Sequence, residues 1–216
     1  MRLSEARSPE LRSDRAYTEL RARLVSLTIA PGSPIGEIDA SRELAIGRTS
    51  VREAINRLAA DGLVTVAPKR GTFASEISIT DPAHISEVRI ALEGRAASRA
   101  AERAALIDRD ALKRLRHDLS TDRQAHTREQ IELYERVHRF IHRCAANPFM
   151  EATLNRYLDL WVRIWRYVSD RLEQQPAPLN DLDRVLVAIA AGDSRSARDA
   201  LVSHISNFDD AIRAAL

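Results

Sequence analysis

The amino-acid sequence predicts a mainly α-helical protein in two parts: three helices with a β-hairpin at the N-terminal end, then an all-helical bundle of about six helices. Three observations carry this. Two short β-type runs, Leu63 to Ala67 and Thr72 to Glu76, flank a basic tip at Pro68-Lys69-Arg70-Gly71. Apolar residues recur at helical spacing on both sides of that hairpin. After Ser78 no further strand-like run appears. With 216 residues and 44% hydrophobic side chains, the chain can fill two cores of ordinary size.

Taken in order, residues 1–13 lack periodicity and read as a flexible tail. A helix follows from about Asp14 to Leu27, with Leu20, Leu24 and Leu27 on one face. The stretch Ile29-Ala-Pro-Gly-Ser-Pro34 stops it, because two prolines and a glycine cannot continue a helix. Shorter helices span about Glu37 to Leu44 and Thr49 to Ala60, the latter closing at Asp61-Gly62. With the hairpin these make a winged helix-turn-helix over 14–77, followed by a linker at 78–82 and a helical domain over 83–216. Asp81 is placed to cap the next helix, with Pro82 in its first turn. The bundle helices read as about 82–105, 109–124, 127–145, 148–173, 179–191 and 194–215. Their breaks fall at Asp108, Thr127, Asn147-Pro148, Pro176/Pro178 and Gly192-Asp193. The fourth carries Leu154, Leu158, Trp161, Trp165, Val168 and Leu172 at alternating spacings of four and three, a buried stripe.

Composition narrows the function. Cys144 is the one cysteine, which excludes an internal disulfide and fits a reducing compartment. Met1 to Glu10 holds no apolar core of a signal peptide, and the apolar run Val185 to Ala191 is too short to cross a bilayer. The expectation is a soluble cytoplasmic protein without a membrane partner. Residues 1–75 carry twelve Arg or Lys against nine Asp or Glu, whereas 76–216 carry 21 against 22. The basic excess sits at the hairpin end, as a nucleic-acid binder requires. Gly-rich phosphate loops, paired-cysteine metal motifs and Gly-x-Ser-x-Gly elbows are all missing from the sequence.

In Ala45-Ile-Gly-Arg-Thr-Ser-Val-Arg-Glu53 a tight turn feeds a helix whose opening residues are Arg48, Thr49, Ser50 and Arg52. A recognition helix meets base edges with its first turn, and an Arg can bond guanine O6 and N7 together. Thr49 and Ser50 are short enough to reach phosphates or touch thymine methyls. Lys69 and Arg70, at the hairpin tip, are placed for the DNA backbone or minor groove. The alternative is that Arg48 and Arg52 are solvated helix charges, one of them paired with a Glu. The run Ile35 to Ala54, with Pro31-Gly32 before it and Leu58 to Val64 and Arg70-Gly71 after it, resembles the winged helix of the GntR-type regulators. In that pattern Ala45 and Gly47 stand where Gly and Ser are usual, and Ser50 where Pro is usual. Arg48, Thr49 and Arg52 are kept.

In the second part, Arg89 is in register with Ile85, Leu92 and Ala96. A guanidinium on an apolar face needs a partner. Glu93, one turn on, is one candidate, and the carboxylate of a ligand is the other. His138 shares a face with Ile131, Tyr134, Ile141 and Ala145, and His204 with Ala197, Leu201, Phe208 and Ile212. Two such histidines are either satisfied core residues or a pair that meets around a divalent metal. Residues 82–210 resemble the effector domain of the FadR-like GntR subgroup, the FCD domain. The matching features are Glu87 to Ala97, His138 with Asn147 nine residues on, Ala188 to Asp193, and His204. That resemblance implies a helical bundle around a ligand cavity, lined here by Arg89, Tyr134, His138, Trp161, Trp165 and His204. It also implies, in many members, a metal held by one Asp and three His. At two of those positions this chain has Tyr134 and Leu182, leaving His138 and His204, so no metal cofactor is expected unless Glu135 or Asp181 substitutes. The reading is a repressor that binds an inverted-repeat operator as a homodimer and responds to a small organic acid. The competing readings are an all-helical metabolite-processing enzyme with a DNA-binding appendage, and an architectural DNA binder without a ligand.

Overall fold

The computed structural model describes residues 11–78, 80–121, 127–169, 179 and 181–213. The chain divides into two compact units that part between Glu76 and Ile77. The first contains α1 (Arg12–Val25), α2 (Glu37–Leu44), α3 (Arg48–Ala60), β1 (Val64–Ala67) and β2 (Gly71–Ala74). Ala16, Leu20 and Leu24 of α1 and Val51, Ala54, Ile55 and Leu58 of α3 are buried. Their spacings of three and four put one apolar face of each helix into the shared core. The α2–α3 turn passes through Ala45 at φ 52°, where glycine is the unstrained residue. Ser41 Oγ steadies that turn by donating to the Ile46 carbonyl at 2.6 Å.

The hairpin pairs Val64 with Ala74 and Ala67 with Gly71, antiparallel. The stretch before α2 does more than stop a helix. Pro34 bridges to Phe73, and the Ile35 N–H donates to the Thr72 carbonyl at 2.8 Å, fastening the entry of α2 to the wing.

The second unit contains α4 (Asp81–Glu102), α5 (Arg109–Thr121), α6 (Thr127–Cys144), α7 (Pro148–Ser169), α8 (Leu182–Ala191) and α9 (Ser194–Arg213). A single 3-10 turn over Ala104–Leu106 follows α4. The sequence breaks act through caps: Asp108 Oδ1 accepts from Ala111 N–H, Asn147 Oδ1 from Phe149 N–H, and Asp193 Oδ1 from Ser196 N–H. Asp81 differs from expectation. It is the first helical residue and its carboxylate accepts the Ser78 N–H at 2.9 Å, so it ties down the preceding segment and does not cap the helix. Leu172, Pro176 and Pro178 lie outside the described residues.

Helix α4 packs against α6, α7, α8 and α9 and so forms the centre of the bundle. Its approach to α9 depends on a missing side chain. A Cβ on Gly94 would lie 2.7 Å from Val202 Cγ2, closer than any real contact. Buried Ala97 and Ala101 extend the same economy of size along α4, which brings its polar residues deep into the core.

Candidate functional site

In the first unit, α3 presents Arg48, Thr49 and Arg52 to solvent, with Ser50 half-buried. Lys69 and Arg70 are exposed at the wing tip, Lys69 with φ 62°. Arg57, at the far end of α3, is used internally: it bonds Asp14 at 2.6 Å and stacks over Tyr17 at 4.4 Å, tying α3 to α1. Of the two opening arginines, Arg52 is the one paired with a Glu. Its Nε donates to Glu37 Oε2 at 3.1 Å and its Nη2 to the same oxygen at 2.9 Å. That hydrogen bond, with the charges of Arg52 and Arg48 behind it, holds the Glu37 carboxyl below its ordinary range.

In the second unit, the six side chains expected to line a cavity do meet. Arg89 comes from α4, Tyr134 and His138 from α6, Trp161 and Trp165 from α7, and His204 from α9. All are at most 2% exposed. The Tyr134 ring lies 4.2 Å from His138, 5.3 Å from Trp165 and 5.6 Å from His204, and the Arg89 guanidinium sits 5.3 Å from the Trp161 ring. Of the two candidate partners for Arg89, Glu93 is in contact, its Oε1 accepting from Nε at 2.5 Å. Arg89 Nη2 donates to the Tyr134 hydroxyl at 2.8 Å, while Nη1 has no hydrogen-bond partner among the described residues.

Three participants were not read as site residues from the sequence. Glu93 is the hub, since its Oε2 also meets His138 Nδ1 at 2.5 Å and His142 Nε2 at 3.3 Å. His142 lies one turn beyond His138 on the same helix and bonds Asn155 Oδ1 at 2.9 Å through Nδ1. The spacing His138-x-x-x-His142 was the available signal. Phe208 closes the aromatic wall, 4.7 Å from Trp165. Glu135, by contrast, is half-buried and accepts from Arg139 Nη2 at 2.8 Å.

Burial alone would push the Glu93 carboxyl up. The charge of Arg89, with help from His138, outweighs that and holds it well below the usual carboxylate range. Burial likewise opposes the charge on Arg89, and Glu93 and Tyr134 overcome it, raising its pKa. Burial pushes the Tyr134 hydroxyl up to about 12 and His138 down to about 4. His204, buried beside His138 and Arg89, is also held well below its ordinary value. At neutral pH Arg89 is therefore a guanidinium and Glu93 a carboxylate, beside neutral Tyr134, His138 and His204. Glu93, His138 and His142 each bring a ligand-type atom within 4.8 Å of the others, and His138 Nε2 faces His204 Nε2 at 3.3 Å.

A winged helix joined to a helical bundle with a buried polar centre defines a DNA-binding transcription regulator. Residues 12–74 match the bacterial regulatory proteins of the gntR family and residues 84–207 match the FCD domain, and the chain belongs to the GntR family of regulators with an FCD domain. It is 28% identical over 202 residues to the HTH-type transcriptional repressor RspR of Escherichia coli (strain K12), covering 91% of this chain and 87% of that one. It is 23% identical over 198 residues to the uncharacterized HTH-type transcriptional regulator YdhC of Bacillus subtilis (strain 168), covering 88% and 86%. Among solved structures, E. coli McbR/YncC has a TM-score of 0.79 at 20% identity, over 94% of this chain and 97% of that one. A putative GntR transcriptional regulator from Rhodococcus sp. RHA1 has 0.71 at 24%, over 95% and 99%. These structures share the fold. No helix among the described residues is long and apolar enough to cross a membrane.

Proposed function

We propose that this chain is a repressor that binds an inverted-repeat operator as a homodimer, with DNA affinity modulated by a small organic carboxylate held among α4, α6, α7 and α9. The effector half of this reading is carried by Arg89 Nη1, a permanently charged donor that is fully buried and unused. An unsatisfied charged N–H in a core is costly, and a ligand carboxylate is well suited to accept it. Trp165 Nε1, also buried without a partner among the described residues, is a second donor of the same kind. Tyr134, Trp161, Trp165 and Phe208 supply apolar walls for a carbon skeleton, while His138 and His204 offer ring nitrogens. Repression is favoured by the likeness to a relative named a transcriptional repressor.

The same cluster suits a divalent metal poorly. Both Glu93 oxygens are already engaged, by Arg89 and by His138, and Arg89 Nη2 lies 3.4 Å from His138 Nδ1. A dication there would share one carboxylate with a buried guanidinium. The Tyr134 hydroxyl stays protonated and Leu182 offers no donor, so an ion would have to be held by Glu93 and the imidazoles of His138, His142 and His204, which requires the Arg89–Glu93 pair to open.

In the DNA half, Arg48 and Arg52 read base edges, Thr49 and Ser50 meet phosphates or thymine methyls, and Lys69 and Arg70 follow the backbone or minor groove. Effector binding alters operator affinity by favouring one arrangement of the paired winged domains over another. The test is a thermal-shift screen of sugar acids, hydroxy acids, dicarboxylates and fatty-acid derivatives, followed by operator binding with each hit. An acid should raise the melting temperature, do so more weakly with Trp165→Phe, and change operator affinity. If a protein that binds its operator responds to none of these acids, the effector half fails. A monomer in sedimentation, both free and on DNA, removes the dimer.

A further inference from the structure

Glu37 opens α2, and Arg52 stands in the second turn of α3, fifteen positions later. They form a two-pronged contact across the helix-turn-helix: Arg52 Nε reaches both Glu37 oxygens, at 3.2 and 3.1 Å, and Nη2 reaches Oε2 at 2.9 Å. The Arg52 side chain remains 60% exposed while Glu37 is 28% exposed, so the carboxylate sits behind the guanidinium and the arginine faces outward. A guanidinium has five N–H donors in one plane. With the Nε–Nη2 edge held by Glu37, the free edge is the parallel pair of N–H groups on Nη1 and Nη2. Such a pair matches guanine O6 and N7.

We propose that Glu37 is a positioning residue for sequence discrimination: it clamps one edge of Arg52 so that the other is presented, already ordered, to a single guanine in each half-site. This rests on the reading of α3 as the recognition helix. A long arginine that is free to rotate loses conformational entropy when it docks on a base, and can settle on a phosphate instead. A clamped one has already lost that freedom. The clamp also has a distinguishing cost. Its carboxylate stands near the phosphates and repels them, so it lowers sequence-independent affinity while raising selectivity. A residue that merely stabilised the helix start would lower both.

The experiment uses the full chain and an operator selected by it from randomised DNA. Affinity is measured for that operator, for each single-base-pair variant, and for random-sequence DNA. The proteins are wild type, Glu37→Ala, Glu37→Gln, Arg52→Ala and Glu37→Ala/Arg52→Ala. Glu37→Ala should lose about tenfold of its preference at one base pair per half-site, the pair at which Arg52→Ala loses most. Its binding to random DNA should be unchanged or tighter. Glu37→Gln, still an acceptor but uncharged, should fall between, and the double variant should lose no more discrimination than Arg52→Ala. If Arg52→Ala loses discrimination while Glu37→Ala keeps it, the positioning role is overturned and the reading of Arg52 stands. If Arg52→Ala keeps discrimination, its base-reading role fails and the positioning role with it. Equal losses by Glu37→Ala on operator and random DNA, with a lower melting temperature, would assign Glu37 to helix stability.

Discussion

Arg89 and Glu93, one turn apart on α4, form an ion pair with no solvent-exposed side-chain surface on either partner, at 2.5 Å. Removing one member strands the other in the core, whereas removing both leaves only a packing defect. Arg89→Ala is therefore expected to destabilise the bundle by about 3–5 kcal/mol, and Glu93→Ala by a similar amount. Arg89→Met/Glu93→Leu should recover much of that loss while abolishing the acid response. Urea denaturation of the four proteins checks this. Additive losses in the double variant would show that the two residues are not energetically a pair.

Purified protein should carry no stoichiometric zinc, nickel or manganese after gel filtration, and a chelator should leave its melting temperature unchanged. Tyr134→Asp/Leu182→His should gain metal, because it restores the carboxylate and the imidazole that the resemblance to FCD domains groups with His138 and His204. Elemental analysis decides both parts. Near-stoichiometric metal in the wild type would mean that the Arg89–Glu93 contact opens to admit an ion.

Stability should fall on mild acidification. His138 and His204 are neutral in the fold, with His138 near pKa 4, whereas an unfolded histidine titrates near 6.5. Below about pH 6.5 the unfolded chain binds protons that the fold refuses, so stability drops as pH falls toward about 4. Glu93, depressed in the fold, adds a loss in the same direction once pH falls below the ordinary carboxylate range. Melting temperatures between pH 7.5 and 5 read this slope, and His204→Leu should flatten it. An identical slope in that variant would place the sensitivity elsewhere.

On DNA, Arg48→Ala and Arg52→Ala should each relax base preference by about 1–3 kcal/mol per half-site. Lys69→Ala should weaken all sequences alike and flatten the dependence of affinity on salt. Titrations on operator and random DNA at several salt concentrations separate the two behaviours. The same loss on both DNAs for all three variants would mean that the reading residues lie elsewhere on the unit.

The amino-acid sequence by itself determined the elements. The 3.6-residue period of Leu154, Leu158, Trp161 and Trp165 places them on one face of α7. Asp108, Asn147 and Asp193 mark helix starts because their short side chains reach the free N–H groups there. Periodicity also showed that Arg89, Tyr134, His138, Trp161, Trp165 and His204 point inward. It could not show toward what. Glu93 meets His138 across 45 positions and Ser86 meets Asp209 across 123, contacts made only when α4 is enclosed by its neighbours. His142 escaped notice because a period identifies one stripe, and α6 is covered widely enough to bury the next residue over, beside Asn155 of α7. The bond of Arg52 to Glu37 joins α2 to α3 across a turn whose Ala45 takes a left-handed conformation. Local spacing selects which face of a helix is apolar. Which charge meets which is decided by the packing of one helix on another, because burial leaves an ionised group no partner except those that packing supplies.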